Sequence, residues 1–201
     1  MVDNKLLPIV EFFLSPIAKY LNGRRISADT ITIFGFIIGL MAVPFIFFGF
    51  LKSALLLIIF NRICDGLDGI VARMNEKTDR GAFLDISLDF IFYASIPVAF
   101  AFFDPSKNAL PALILLFSFF GTGSTFLAFS IIAERNNIRS KEYDKKGFYY
   151  LSGLTEGAET ILVYILICLL PSYFPTIAYI FSFGCLLTTI FRLKTGWSMF
   201  R

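Results

Sequence analysis

Residues 53–103 read Ser53-ALLLIIFNRICDGLDGIVARMNEKTDRGAFLDISLDFIFYASIPVAFAF-Phe103. Two apolar runs, Ser53 to Ala72 and Ala82 to Phe103, flank a short polar link. Each is close to the roughly 20 residues that cross a bilayer as a helix. Yet four aspartates lie in or beside them: Asp65, Asp68, Asp85 and Asp89. A carboxylate at mid-membrane costs on the order of 2.5–3.5 kcal/mol, so such residues are functional candidates. Asp65 and Asp68 are spaced i,i+3 and Asp85 and Asp89 i,i+4, which puts each pair on one helix face. Gly69, Ala72 and Gly81 keep the same stripes small, leaving room for a ligand or a close helix contact. Asp65 lies eight residues before Arg73, and Asp89 eight after Gly81. At 1.5 Å per residue both sit about 12 Å along their helices from the turn. With the helices as antiparallel neighbours, all four carboxylates can converge in one layer.

Four like charges that close cannot all stay ionised without partners. Arg62 is the only basic residue among the apolar residues of that first run. Histidine is absent from the 201 residues, which removes the commonest zinc ligand and the commonest general base. Oxygen-only ligation favours Mg²⁺, Mn²⁺ or Ca²⁺ over Zn²⁺. Two divalent cations would balance four carboxylates, and metal pairs about 3.5–4 Å apart recur in displacements at phosphorus.

The rest of the chain fits a membrane setting. Hydrophobic residues make up 57% and charged residues only 16%, against about a quarter charged in soluble domains. Further apolar runs cover about Thr30 to Phe50, Leu110 to Ala133, Ala158 to Leu170 and Tyr173 to Phe191, making six in all. Basic residues alternate between the connections. Lys5, Lys19, Arg24 and Arg25 precede the first run, and Arg73, Lys77 and Arg80 fill the second link. Arg135, Arg139, Lys141, Lys145 and Lys146 fill the fourth link, and Arg192, Lys194 and Arg201 follow the last run. The other side has only Lys52 and Lys107. The positive-inside rule then places both termini and the acidic layer in or facing the cytoplasm, as an even number of spans requires.

Ahead of the spans, Leu6, Leu7, Val10, Phe13, Leu14, Ile17 and Leu21 share one helical stripe, interrupted in principle by Pro16. The stripe suits a helix lying in the membrane interface, or one packed on the rest of the protein. The expected architecture is therefore all-α: one membrane domain over residues 1–201, with an interfacial helix at about 6–21 and a six-span bundle at about 30–191. Cys64, Cys168 and Cys185 lie in apolar runs and read as small buried hydrophobes. No signal peptide is expected, because the opening MVDNKLLPIVEFF lacks a basic region ahead of a clean apolar core.

The run Asp65-Gly-Leu-Asp68-Gly69-Ile-Val-Ala72-Arg73, followed by Gly81-Ala-Phe-Leu-Asp85-Ile-Ser-Leu-Asp89, resembles the signature of the CDP-alcohol phosphotransferase (CDP-alcohol phosphatidyltransferase) family. That signature is D-x-x-D-G-x-x-A-R, a spacer, then G-x-x-x-D-x-x-x-D, and every defined position matches. The spacer, Met74 to Arg80, is one residue shorter than the family's commonest. The resemblance implies that Asp65, Asp68, Asp85 and Asp89 ligate two divalent cations, Mg²⁺ or Mn²⁺, with Asp89 also the general base for an acceptor hydroxyl. It implies that Gly69, Ala72, Arg73 and Gly81 contact the CDP portion. It also implies a CDP-linked lipid donor such as CDP-diacylglycerol, release of CMP in phospholipid synthesis, a homodimer and a bacterial-type inner membrane; no nucleic acid partner is expected. Arg73 suits a phosphate through its planar, always-charged fork, and equally suits a cytoplasmic anchor.

Four other segments carry two readings each. Asp29 and Thr32 open the first span, where they would touch the cytidine or ribose, or cap the helix. Glu156 and Glu159, i,i+3 at the start of the fifth run, would line an acceptor pocket or serve the helix N-terminus. Gly121-Thr-Gly-Ser-Thr125 favours helix packing over substrate contact. The basic loop of Arg139, Lys141, Lys145 and Lys146 is a topology signal or a site for a phosphorylated acceptor. The rival to an enzyme is a small ion- or proton-coupled transporter using the same aspartates. It would need polar residues toward the outer side, where only Lys52, Asp104 and Lys107 are charged.

Overall fold

The computed structural model describes residues 3–75, 78–136, 138 and 153–200, with side chains from residue 10 onward. Lys77, the whole basic loop from Arg139 to Lys146, and Arg201 lie outside the described residues. Among the described residues all regular structure is helical. The helices are α1 (Asp3–Gly23), α2 (Ala28–Phe47), α3 (Leu51–Met74), α4 (Asp79–Phe103), α5 (Pro105–Arg135), α6 (Gly157–Leu169) and α7 (Phe174–Met199). A 3-10 turn, Pro171–Tyr173, leads into α7.

Each of the six apolar runs is a helix. Four stretches are long and apolar enough to cross a membrane: α2, α4, α5 and Pro171–Met199. α3 has the length, at 24 residues, but carries Lys52, Arg62, Asp65, Asp68 and Arg73. α6 has only 13 residues. At 1.5 Å per residue that is about 20 Å, short of a ~30 Å hydrocarbon core. α7 continues to Met199, past the point where its apolar run ends, because helix hydrogen bonding does not stop where hydropathy does.

The ends are locally determined. Ser27 caps α2 by accepting from the Thr30 N–H at 3.2 Å, and Thr78 caps α4 by accepting from the Gly81 N–H at 3.0 Å. Gly49, at φ 79°, takes the left-handed turn between α2 and α3, a conformation that costs glycine little.

α2 packs against both α3 and α4, α5 against α4 and α7, and α1 against α3. Glycine makes the central contacts close. A Cβ at Gly35 would lie 2.5 Å from Cys64 Cβ, and one at Gly39 would lie 2.8 Å from the Phe92 ring. α3 and α4, though joined by a short link, are not among the closely packed pairs. This changes the expectation of direct neighbours: α2 is seated on both, and a cleft remains between them.

Beneath the cleft, toward the Leu51 end of α3, the core is apolar. Ile46, Ile58, Ile96, Leu115, Phe100 and Phe174 are fully buried, and the last two rings stack at 4.8 Å. The outer surface is apolar as well: Leu56, Phe117, Phe120 and Ile180 are each at least two-thirds exposed. A soluble monomer rarely presents so continuous an apolar exterior. α1 runs unbroken through Pro16 and turns Leu14, Ala18 and Leu21 inward. Its Phe12, Phe13, Ile17 and Tyr20 face outward.

Candidate active site

The cleft between α3 and α4 is roofed by Thr32, Gly35 and Phe36 of α2 and opens to the surface. All four motif aspartates line it. Helical spacing delivers them: the i,i+3 pair on α3 and the i,i+4 pair on α4 face each other across the gap.

The aspartates are not equivalent. Asp65, Asp68 and Asp85 bring one carboxylate oxygen each to within 4.8 Å of one another, with Asp68 buried and Asp85 exposed. The donors are all oxygen, and such a set fits a hard divalent cation. Thr32 tightens the group: its hydroxyl lies 2.6 Å from Asp68 Oδ2 and 3.0 Å from the Ala28 carbonyl, so its one proton goes to the nearer carboxylate. Asp89 stands on the same wall but is held differently. Its Oδ1 accepts from Arg62 Nη2 at 2.8 Å.

Arg62 is the residue that sequence reasoning passed over as a site member. It was visible as a lone cation in an apolar run, but Asp89 is 27 positions away. Its Nε donates to Asn61 Oδ1 at 2.8 Å and its Nη1 to the Tyr93 hydroxyl at 3.0 Å. Nη1 also lies 3.6 Å from Asp65. The guanidinium rests over the Phe92 and Tyr93 rings at 4.9 and 5.4 Å. Asn61 in turn donates to the Gly35 carbonyl at 2.9 Å, its amide lying beside Gly39, where a Cβ would stand 2.9 Å from Nδ2.

Apart from Thr32, the expected nucleotide contacts lie outside the lining of the cleft, in two groups at the Met74 end of α3 and the start of α4. Gly69 lies under the Arg73 side chain, where a Cβ would stand 3.3 Å from Nη1, and Ala72 is half-buried beside it in sequence. Arg73 Nη2 pairs with Glu11 of α1 at 2.9 Å. Asp29 does not cap α2; Arg80 grips its Oδ2 through Nε at 2.8 Å and Nη2 at 2.6 Å. Gly81 lets the two helix starts approach, since a Cβ there would lie 3.1 Å from Asp29 Oδ1. Nothing in the local sequence marks Arg80 as the partner of Asp29.

Glu156 and Glu159 do not line the cleft. They form a reciprocal capping box at the start of α6, with the Glu156 N–H donating to Glu159 Oε2 at 3.1 Å. The Gly121–Thr125 stretch is packing, as favoured: Gly121 faces Thr189, and Thr125 donates back to the Gly121 carbonyl at 2.7 Å. All three cysteines are free and buried.

Comparison with known proteins agrees with this geometry. An inner membrane protein of Escherichia coli K12, YnjF, is 47% identical over 197 residues, covering 98% of this chain and 96% of that protein. A crystal structure of Mycobacterium tuberculosis phosphatidylinositol phosphate synthase (PgsA1) with CDP-DAG bound superposes with a TM-score of 0.72 at 21% identity, covering 90% of this chain and 92% of that one. A second structure of that enzyme, with manganese and citrate, gives 0.70 at the same identity, covering 90% and 88%. At that identity the likeness is one of fold. The family model of CDP-alcohol phosphatidyltransferases matches residues 25–191, the whole run from the turn before α2 through most of α7. With the complete acidic motif folded into one cleft, this integral membrane protein belongs to the CDP-alcohol phosphatidyltransferase family.

Proposed function

We propose that the protein transfers a phosphatidyl or other phosphoalcohol group from a CDP-alcohol, with CDP-diacylglycerol the donor of choice, to an acceptor hydroxyl with release of CMP. The observation that carries this is the convergence of Asp65, Asp68 and Asp85 on one cleft that also contains Asp89. In this reading the acceptor oxygen attacks the phosphorus joined to the alcohol, and CMP departs. Asp89 receives the hydroxyl proton on the oxygen that Arg62 leaves open. Two divalent cations, Mg²⁺ or Mn²⁺, held by Asp65, Asp68 and Asp85 with Asp89 beside them, would supply charge neutralisation on the bridging phosphates. Thr32 orients Asp68, while Arg73 and the small residues Gly69, Ala72 and Gly81 receive the nucleotide end, with Asp29 near its sugar.

The same reading takes six membrane crossings, with α3 and the short α6 counted among them, and seats α1 at the interface. The outward Phe12, Phe13, Ile17 and Tyr20 support that seat. Lysine and arginine placement supports termini and cleft on the cytoplasmic side. The homodimer rests on family resemblance alone. An acceptor role for Glu156 or Glu159 would have to coexist with the capping box that holds them. Glu159→Gln separates the roles, because glutamine keeps the cap bond. A transporter is disfavoured by the apolar core beyond the cleft, from Ile58 to Phe100 and Phe174.

The test is CMP release by purified protein from radiolabelled CDP-diacylglycerol, with Mg²⁺ or Mn²⁺ and a panel of alcohols including glycerol 3-phosphate, serine and inositol phosphate. Release with at least one acceptor is expected. No release with any of them, together with undiminished CDP-lipid binding in Asp65→Asn, overturns the reading.

A further inference from the structure

We infer that Arg62 is a positioning residue for Asp89, fixing which carboxylate oxygen faces the acceptor; the inference rests on Asp89 being the base. An aspartate side chain has two rotatable bonds and two equivalent oxygens, so a base needs something to choose between them. Arg62 Nη2 takes Oδ1 at 2.8 Å, which leaves Oδ2 for the proton. The holder is itself held on every side. Its Nε is fixed on Asn61, its Nη1 on the Tyr93 hydroxyl, and its plane over the Phe92 and Tyr93 rings. Asn61 is anchored to the Gly35 carbonyl, and the Tyr93 carbonyl accepts from the Tyr164 hydroxyl at 2.5 Å. One guanidinium thereby ties α3 to α4, with α2 and α6 bracing the two residues that grip it. Such locking by packed neighbours is what keeps a reactive group within the narrow tolerance of a productive geometry.

A second consequence concerns charge. Four aspartates against one arginine leave a formal excess of three negative charges in the cleft. Two divalent cations then carry it past neutrality to a net positive site, suited to an anionic diphosphate. Without Arg62 the same loading ends at neutral. Lysine restores the charge without the planar three-way hold, which separates the two contributions.

The experiment is a double-mutant cycle on CMP release from CDP-diacylglycerol, crossing Arg62→Met with Asp89→Asn, with Arg62→Lys and Tyr93→Phe alongside. Arg62→Met is expected to lower kcat about 100-fold, the scale of a misplaced reacting group, and separately to raise the donor KM through the lost charge. In the Asp89→Asn background it is expected to cost almost nothing further, because the group it positions is already disabled. Arg62→Lys is expected to recover donor binding but only part of kcat. Tyr93→Phe keeps the ring and removes one hold, so a several-fold loss in kcat is expected even if Arg62→Met fails to fold. Additive losses in the cycle, or an unchanged kcat in both Arg62→Met and Tyr93→Phe, overturn the positioning role. A fully active Asp89→Asn, or a wild-type protein that releases no CMP, instead overturns the functional reading beneath it.

Discussion

The two halves of this bundle satisfy most of their polar side chains differently. Arg192 and Thr188 of α7, which also reach Thr122 and Thr155, and Ser95 of α4, which bonds back to Phe92, are exceptions. In α5 and α7 the hydroxyls bond backward to their own helix. Ser118 donates to Leu115, Ser130 to Phe126, Ser182 to Ala178 and Thr195 to Phe191, each to a carbonyl three or four residues earlier. In α2, α3 and α4 the polar groups reach across. Thr32 meets Asp68, Asn61 meets Gly35, Arg62 meets Asp89 and Tyr93, and Arg80 meets Asp29. Hydrocarbon offers no water to satisfy a polar group, so each must find a partner inside the protein. A hydroxyl that closes on its own helix satisfies that demand locally and lets helices pack. A carboxylate cannot do so, because it has no proton to give to a carbonyl. Its partners must come from other helices or from a ligand, and that requirement assembles a site.

The contrast can be broken by substitution. The largest effect is expected at Asp89→Asn: CMP release should fall about 10²–10⁴-fold, the usual contribution of a general base, while the melting temperature in detergent holds. A collapse of the melt alongside activity would instead make Asp89 a structural group. Next, Thr32→Val removes the 2.6 Å bond that orients Asp68. Loss of such an outer partner typically costs about 10–100-fold in metal affinity, readable by Mn²⁺ binding in electron paramagnetic resonance. Gly35→Ala should lower stability by about 1–3 kcal/mol through overpacking, since its methyl would meet Cys64 Cβ at 2.5 Å. Thermal unfolding in detergent reads that change. The smallest effect is expected in the other half: Ser182→Ala should shift stability by about 0.6 kcal/mol or less and leave CMP release unaltered. A loss of activity there would show that the backward-bonding half also serves chemistry.

Much of this contrast was legible before any coordinates. Apolar run lengths located all six bundle helices, because a bilayer-scale run has few other solutions. The spacing of Asp65, Asp68 and Asp85 located their meeting, because helical periodicity fixes the face. Other features depend on relations no local window contains. The length of the α3–α4 link says nothing about the angle between the helices, so the cleft roofed by α2 was not foreseen. The small-residue spacing of Gly35 and Gly39 was a readable signal for that close approach. The Asp29–Arg80 pair spans 51 positions and has no pattern to announce it. Of the two readings of Glu156 and Glu159, service at the helix N-terminus fits the capping box, in which Glu156 is the extended N-cap rather than a residue on the helix face.

The ion pair between Glu11 and Arg73 joins the N-terminal helix to the last turn of α3. An anion that takes the same edge of the guanidinium must release that glutamate. Linkage then runs both ways: whatever frees Glu11 strengthens anion capture at Arg73, and capture loosens the hold on α1 by an equal free energy. On the role proposed for Arg73, the attachment of the first helix is a thermodynamic gauge of anion occupancy at that residue.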